Sequence, residues 1–184
     1  MPRYVAFLRA INVGGRTVTM DRLREVFRSL GLADVETFIA SGNVLFRTRA
    51  RSGAGLEARI EAALERALGY EVATFLRTVD EVVAVAEATP FPPAAVAAAA
   101  GLNVGFLPRP LDRAEVKRVL EFRTPIDEFQ IIGREVYWLC LTNQHESKFS
   151  NAVFERALRI RATFRGINTV RRLAARVGPA GELD

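Results

Sequence analysis

The sequence predicts an α+β protein of two tandem ferredoxin-like subdomains, residues 1–90 and 91–184, each with the order βαββαβα and an antiparallel sheet. Short apolar runs alternate with the i, i+3, i+4, i+7 spacing of amphipathic helices, and the same order occurs twice. Between the two sets, the prolines of residues 89–93 (TPFPP) continue neither a helix nor a strand ladder. With 184 residues, 49% of them hydrophobic, the chain is long enough for two small units with a ligand cleft between them.

Each element of the first half has a local signal. Helices are indicated by an N-capping hydroxyl and a glycine just beyond the last apolar position, and strands by β-branched or aromatic runs. The first helix has its apolar face at Leu23, Val26, Phe27 and Leu30. In order, we expect strand 4–11, a helix capped by Thr19 and ended by Gly31, strands 35–39 and 44–47 around the turn Ser41-Gly42-Asn43, a helix ending at Gly69, strand 71–77 and helix 79–88.

The second half repeats the order after an alanine run, residues 94–100, that predicts at most a helical turn. Asp112 and Glu115 form a capping-box pattern at the start of a helix. The dipeptide Gly133-Arg134 suits the type II′ turn of a β-hairpin. The remaining expected elements are strand 102–106, hairpin strands 128–132 and 135–141, helix 149–158, strand 160–164, and a last helix that buries Ile167, Val170, Leu173 and Val177.

Composition restricts the compartment and the class of partner. The single cysteine, Cys140, forms no internal disulfide, and no apolar stretch approaches the roughly 20 residues that cross a bilayer. The N-terminus has no signal-peptide pattern. We therefore expect a soluble, cytoplasmic protein without a membrane partner.

The formal net charge of +5 is concentrated near the C-terminus. Seven arginines occur there without an intervening acidic residue, a pattern typical of a surface that binds polyanions. The alternative is a genomic codon bias, because the chain has 24 arginines and only two lysines. The arginines are Arg156, Arg159, Arg161, Arg165, Arg171, Arg172 and Arg176.

The segment RAINVGG, residues 9–15, is a candidate anion-binding loop. Gly14 and Gly15 tolerate positive φ and leave backbone N–H groups free to point at an anion, while Arg9 and Arg16 add charge. The Gly-Lys-Ser/Thr ending of a phosphate-binding loop and the three-glycine spacing of a dinucleotide fingerprint are both missing. The alternative is a plain turn from strand to helix, fixed by the Asn12 side chain.

Together with the Ser41-Gly42-Asn43 turn, this segment closely resembles the signature of a bacterial family of unknown function, the domain of unknown function 1697. Near the C-terminus, Ser147-Lys148 and the segment ATFRGINTVRRL resemble a second signature of that family. The segment contains Arg165, Asn168 and Thr169. Phe164 and the pair Gly166-Ile167 depart from the family pattern, which more often has threonine and an asparagine-tryptophan pair there. The resemblance implies the doubled ferredoxin-like fold and no established reaction.

The second signature has structural alternatives as well. The structural reading of Ser147 is an N-cap, whereas the functional reading has Lys148 facing a bound phosphate as a point charge. Arginine and amide groups together recognise phosphate or carboxylate, although Asn168 would equally cap the last helix. His145 lies in a polar loop beside Glu146, which is no indication of a catalytic triad, and Cys140 is expected in the core.

The leading hypothesis is therefore binding of an anionic small molecule, phosphorylated or nucleotide-like, in the cleft between the subdomains. Sequence-independent nucleic-acid binding through the C-terminal arginines is the alternative, and an enzyme acting on a phosphorylated or acyl substrate is the third hypothesis. No catalytic residue, cofactor or metal is predicted, and the oligomeric state is left open. The candidate ligand-binding residues are Arg9, Asn12, Gly14, Gly15, Ser41, Asn43, Lys148, Arg165 and Asn168.

Overall fold

The computed structural model describes residues 1–39, 42–50 and 54–178. They form two four-stranded antiparallel sheets with flanking helices, which confirms the predicted fold class. A 3₁₀ turn, Gln144–Glu146, lies between the last two strands. In chain order the elements are β1 Arg3–Leu8, α1 Met20–Ser29, β2 Ala33–Thr37, β3 Asn43–Arg47, α2 Ala54–Leu68, β4 Thr74–Thr78, α3 Val79–Glu87, α4 Pro93–Ala98, β5 Gly101–Phe106, α5 Arg113–Leu120, β6 Asp127–Ile132, β7 Glu135–Cys140, α6 Asn151–Leu158, β8 Thr163–Gly166 and α7 Ile167–Val177.

By its contacts the chain divides into two compact units. Residues 1–83 form the first unit together with the end of α7 from Ala175, and residues 84–174 form the second. The subdomain boundary drawn between residues 90 and 91 rests on the proline-rich segment, a different criterion, and stays a prediction. Within the described residues, no helix is long and apolar enough to cross a membrane.

The first sheet has the strand order β2-β3-β1-β4, so β1 is a central strand with β3 and β4 on either side. Alternate residues of β1 belong to the core beneath the helices: Tyr4, Ala6 and Leu8 are at most 5% exposed. Helix α1 packs Leu23 and Phe27 into the same core. The alternate residues of the strand and the residues spaced by about 3.6 along the helix therefore pack into one apolar layer, as the sequence pattern predicts.

The second sheet has the equivalent order β6-β7-β5-β8. Its helix-facing core is aromatic: the Phe149 ring lies 4.9 Å from Trp138 and 4.7 Å from Phe129, centroid to centroid, both edge to face. Such edge-to-face geometry is the arrangement that aromatic quadrupoles favour.

Two helix caps and one hairpin turn form as the sequence predicts. Thr19 accepts a hydrogen bond from the N–H of Arg22 at 3.1 Å and caps α1. Both hydrogen bonds of the Asp112–Glu115 capping box are present. Gly133 has a φ of 58° in the two-residue turn between Ile132 and Glu135, as a type II′ hairpin requires.

The first strand is shorter than predicted. It ends at Leu8 instead of residue 11, because Ala10 has a φ of 57° and Asn12 a φ of 58°, which a strand cannot contain. The chain thus leaves the sheet directly at the segment that carries the first signature.

Gly105 and Phe164 form a cross-strand pair between β5 and β8. A Cβ at position 105 would lie 2.6 Å from the Phe164 ring, well inside van der Waals contact. The ring therefore packs over the glycine backbone, an arrangement that explains glycine inside a central strand.

We expect Gly105→Ala to destabilise the protein by about 2 kcal/mol, because the added methyl group forces the Phe164 ring out of its position. The measurement is urea unfolding followed by circular dichroism. Gly55→Ala is the matched control, since Gly55 lies in a helix with open space around its Cβ position and should be neutral or gain up to about 1 kcal/mol. Equal loss of stability in both variants would contradict the packing argument.

Candidate functional site

The loop between β1 and α1 is held at the end of the first sheet by its flanking strands. The N–H of Leu8 donates to the carbonyl of Gly42 at 2.8 Å, and the N–H of Arg9 donates to the carbonyl of Ala73 at 2.9 Å. The loop therefore begins between the start of β3 and the start of β4.

Left-handed backbone is concentrated in this loop. Gly14 and Gly15 have φ values of 62° and 80°, and the N–H of Arg16 donates to the carbonyl of Val13 at 3.2 Å. Positive φ at both central positions is the geometry of a type I′ turn. Both glycines are exposed, and a Cβ at either would have no atom within 4 Å. Backbone conformation, and not space, is what these glycines provide.

The Asn12 side chain closes the other end of the loop. Its Oδ1 accepts a hydrogen bond from the N–H of Val18 at 2.7 Å, one residue before the Thr19 cap of α1. The side chain thereby has the turn-fixing role that the sequence left as an alternative, and a ligand contact for Asn12 stays a prediction.

The second half of the first signature packs against this loop. Gly42 has a φ of 78°, and its Cβ position lies 3.2 Å from side-chain atoms of both Leu8 and Ile11. Asn43 is fully buried, with its Nδ2 donating to the carbonyl of Phe38 at 3.0 Å, so the amide closes the β2–β3 turn. Ser41 lies outside the described residues, and its role stays a prediction.

Two residues other than glycine or asparagine have left-handed backbone beside these turns. Ala10 has a φ of 57°, and the β-branched Ile39 has a φ of 58°. A bulky residue in this region is strained, and strained backbone is concentrated at binding sites and switch regions. No sequence pattern marks Ala10 or Ile39, because neither residue type favours the conformation.

Arginines flank the loop on both sides. Arg9 is half-buried at its start, and Arg16 is exposed at its end. The Arg16 guanidinium carbon lies 4.5 Å from the centroid of the Tyr70 ring, a cation–π contact that orients the side chain. The loop thus has a positive group at each end.

In the second unit, Ser147 does not cap a helix, contrary to the prediction. Helix α6 begins at Asn151 and its N-cap is Ser150, whose Oγ accepts from the N–H of Val153 at 3.2 Å. Ser147 instead donates to Oδ1 of the buried Asp127 at 2.8 Å and accepts from the N–H of Phe149 at 2.9 Å.

Asp127 is the centre of a polar network that the sequence did not indicate. Its Oδ1 also accepts from Nε1 of Trp138 at 2.7 Å, and its Oδ2 from Oγ1 of Thr124 at 2.8 Å. A buried carboxylate requires such donors. The network fixes the loop that presents Lys148, whose side chain is exposed.

Arg165 is half-buried on β8. Its Nη1 donates to Oγ1 of Thr163 at 2.8 Å and to the carbonyl of Phe164 at 3.0 Å. Burial lowers the pKa of Arg165 to about 10, so the guanidinium remains charged at neutral pH. Arg165 therefore keeps its positive charge, and its Nη1 bonds two atoms of its own strand.

Another arginine, the fully buried Arg77, occupies the matching place in the first sheet. Arg77 lies opposite Val5 as Arg165 lies opposite Val104, and its Nη1 donates to the carbonyl of Leu76 at 2.8 Å. At 1% exposure it is among the largest fully buried side chains. The only signal in the sequence is an arginine inside an apolar strand.

Three further residues considered in the sequence analysis are Asn168, His145 and Cys140. Asn168 is the second residue of α7 and is exposed, and His145 is exposed in the 3₁₀ turn. Cys140 is fully buried in β7, as predicted, and burial raises the pKa of its thiol. A buried thiol of raised pKa is a poor nucleophile.

The structure therefore assembles the first signature on one unit and the second on the other. Arg9, Asn12, Gly14, Gly15 and Asn43 belong to the first unit, and Lys148, Arg165 and Asn168 to the second. A single cleft that uses both groups stays a prediction.

We expect Ser147→Ala to cost about 1–3 kcal/mol, because it removes a charge-assisted hydrogen bond to Asp127 and leaves the N–H of Phe149 without its acceptor. Urea unfolding followed by circular dichroism measures the loss. The neighbouring Lys148→Ala, an exposed substitution, should change stability by less than about 0.5 kcal/mol. A neutral Ser147→Ala would show that Asp127 does not depend on this hydroxyl.

Comparison with known proteins gives a family and a fold. A family model described as "Protein of unknown function (DUF1697)" matches residues 1–137 and so ends before the second signature. The chain is similar to a solved structure, the conserved bacterial protein SP0830 from Streptococcus pneumoniae, with 25% identity and a TM-score of 0.73. That similarity covers 95% of this chain and 97% of the other. No curated protein matches.

Proposed function

Because the chain belongs to the DUF1697 family, whose description names no activity, we propose from its own residues that it binds an anionic small molecule. The ligand is phosphorylated or nucleotide-like, and the site is the loop of residues 9–16, called here the glycine loop. Lys148, Arg165 and Asn168 remain candidate contacts on the second unit.

One observation carries the proposal: Gly14 and Gly15 are exposed, left-handed and without a packing function. No described residue accepts a hydrogen bond from the N–H of either glycine. Adjacent backbone N–H groups in a turn, when no other group accepts their hydrogen bonds, are an anion-binding arrangement. They also bind without the desolvation cost of a buried charge.

The charge of the loop supports an anion over a cation or a neutral ligand. Residues 9–18 contain two arginines and no acidic residue, and the next carboxylate in sequence is Asp21 in α1. Guanidinium groups pair with phosphate or carboxylate oxygens in a bidentate manner, which gives the site its chemical class.

We expect Gly15→Ala to weaken binding of ATP, ADP or inorganic phosphate at least tenfold, because alanine disfavours the φ of 80° and redirects the loop N–H groups. Isothermal titration calorimetry measures the affinity, after a thermal-shift panel has selected the tightest ligand.

Gly69→Ala is the matched control for this substitution. Gly69 also has a φ of 80° and open space at its Cβ position, but it lies at the end of α2. Both variants should lose a similar stability, about 1–2 kcal/mol, while only the loop variant loses affinity. Equal affinity in the two variants, or no ligand that raises the melting temperature of the wild type, would contradict the proposal.

A second candidate function is sequence-independent nucleic-acid binding. It is favoured by exposure: of the seven C-terminal arginines, all except Arg165 are exposed. Arg156 and Arg159 lie at the end of α6, followed closely by Arg161. Guanidinium groups presented together to solvent fit a phosphodiester backbone.

For this candidate we expect binding of a 20-nucleotide single strand that weakens steeply with salt, as counterion release requires. Replacing Arg156, Arg159 and Arg161 together by glutamine should reduce the slope of log K against log [salt] by up to about two. Fluorescence anisotropy at several salt concentrations is the measurement. Arg22→Gln, on an exposed face of α1, serves as the control. Absence of binding at low salt would exclude this function.

A further inference from the structure

We propose that the protein has a second anion site, for a small anion such as a phosphate monoester, in a cavity at the beginning of β1. The cavity has a volume of about 460 Å³ and lies among β1, the end of α1, β2 and β3. This volume is in the range of small-molecule sites. Its principal side chains are those of Arg3, Arg28, Asp34, Glu36 and Arg47.

A β-bulge shapes the cavity. Ala33 pairs with Arg47 and Glu36 pairs with Leu45, so Asp34 and Val35 together face the single residue Phe46. Asp34 has a φ of 48°, left-handed backbone that the extra residue requires. Bulges bend an edge strand and redirect its side chains, and they are frequent beside binding sites. Here the bulge places Asp34 and Glu36 at the cavity.

The charges of the cavity leave it positive. Arg47 pairs with Asp34 at 3.2 Å, and Glu36 pairs with Arg176 from the end of α7 at 3.2 Å. Both carboxylates thus have a guanidinium partner. Arg28 adds a positive charge that no described residue pairs with, and a bound anion neutralises it.

Three arginines line the cavity, and contacts within the protein hold two of them in place. Arg3 is anchored by donating from Nη1 to the carbonyl of Val177 at 3.1 Å, and the Asp34 pair orients Arg47. Arg28 is exposed in the last turn of α1 and has no ion-pair partner among the described residues. Arg28 is therefore the side chain that can close on a bound anion as a planar, bidentate donor.

This site is separate from the glycine loop. Arg3 begins β1 and the loop follows its other end, and a six-residue strand is roughly 16–20 Å long. One small anion cannot contact both places, so the two proposals are tested independently.

The test is a titration of ¹⁵N-labelled full-length protein with inorganic phosphate at pH 7.5, followed by amide chemical shifts. Sodium chloride at equal ionic strength is the reference titration. We expect saturable shifts at Asp34, Val35 and Glu36, with a dissociation constant at least tenfold larger in Arg28→Gln. Arg22→Gln, on the same helix but away from the cavity, should match the wild type.

Three outcomes would overturn the second site. They are shifts at Asp34–Glu36 that follow ionic strength alone, an unchanged affinity in Arg28→Gln, and a response confined to Gly14 and Gly15. The last outcome would support the glycine loop while excluding the cavity. Saturable, Arg28-dependent shifts with silent Gly14 and Gly15 would support the cavity and count against the loop.

Discussion

The central strand β1 is the constraint on which the first unit depends. It pairs with β3 on one side and β4 on the other, and its six residues run from the cavity to the glycine loop. What they do is separate two polar ends by a fixed distance. The glycine loop leaves one end and the bulged, arginine-lined cavity lies at the other. The apolar alternation between them makes the spacing rigid, because a slip of one residue would invert every side chain of the strand.

Much of the fold is readable from the sequence because its signals are local. Thr19, the Asp112–Glu115 box and Gly133 each act within four residues, and each predicted the observed element. The N-cap predicted at Ser147 is wrong for the same reason. A serine before a helix gives the same local pattern whether it caps the helix or bonds a distant residue. Its partner, Asp127, lies 20 residues away and is brought near only by the pairing of β6 with β7.

The candidate site was predictable only in part, since sequence motifs mark residue types and not the use of their atoms. The paired glycines indicated positive φ, and the backbone has it. Asn12 and Asn43 were expected as ligand contacts, but their side chains also bond the backbone. Asn12 accepts from the N–H of Val18, and Asn43 donates to the carbonyl of Phe38. The cavity at Arg28 has no linear motif at all, because its side chains come from four separate elements and from a bulge that depends on strand register.

The Trp138–Asp127 hydrogen bond has a spectroscopic consequence. Trp138 is the sole tryptophan of the chain, and its indole lies buried in the second unit, bonded to a carboxylate and packed against Phe149. Indole emission therefore monitors the melting of that unit alone, whereas far-ultraviolet ellipticity sums both. Should the two signals change at different temperatures, the units melt independently, and the two-state approximation no longer applies to the chain.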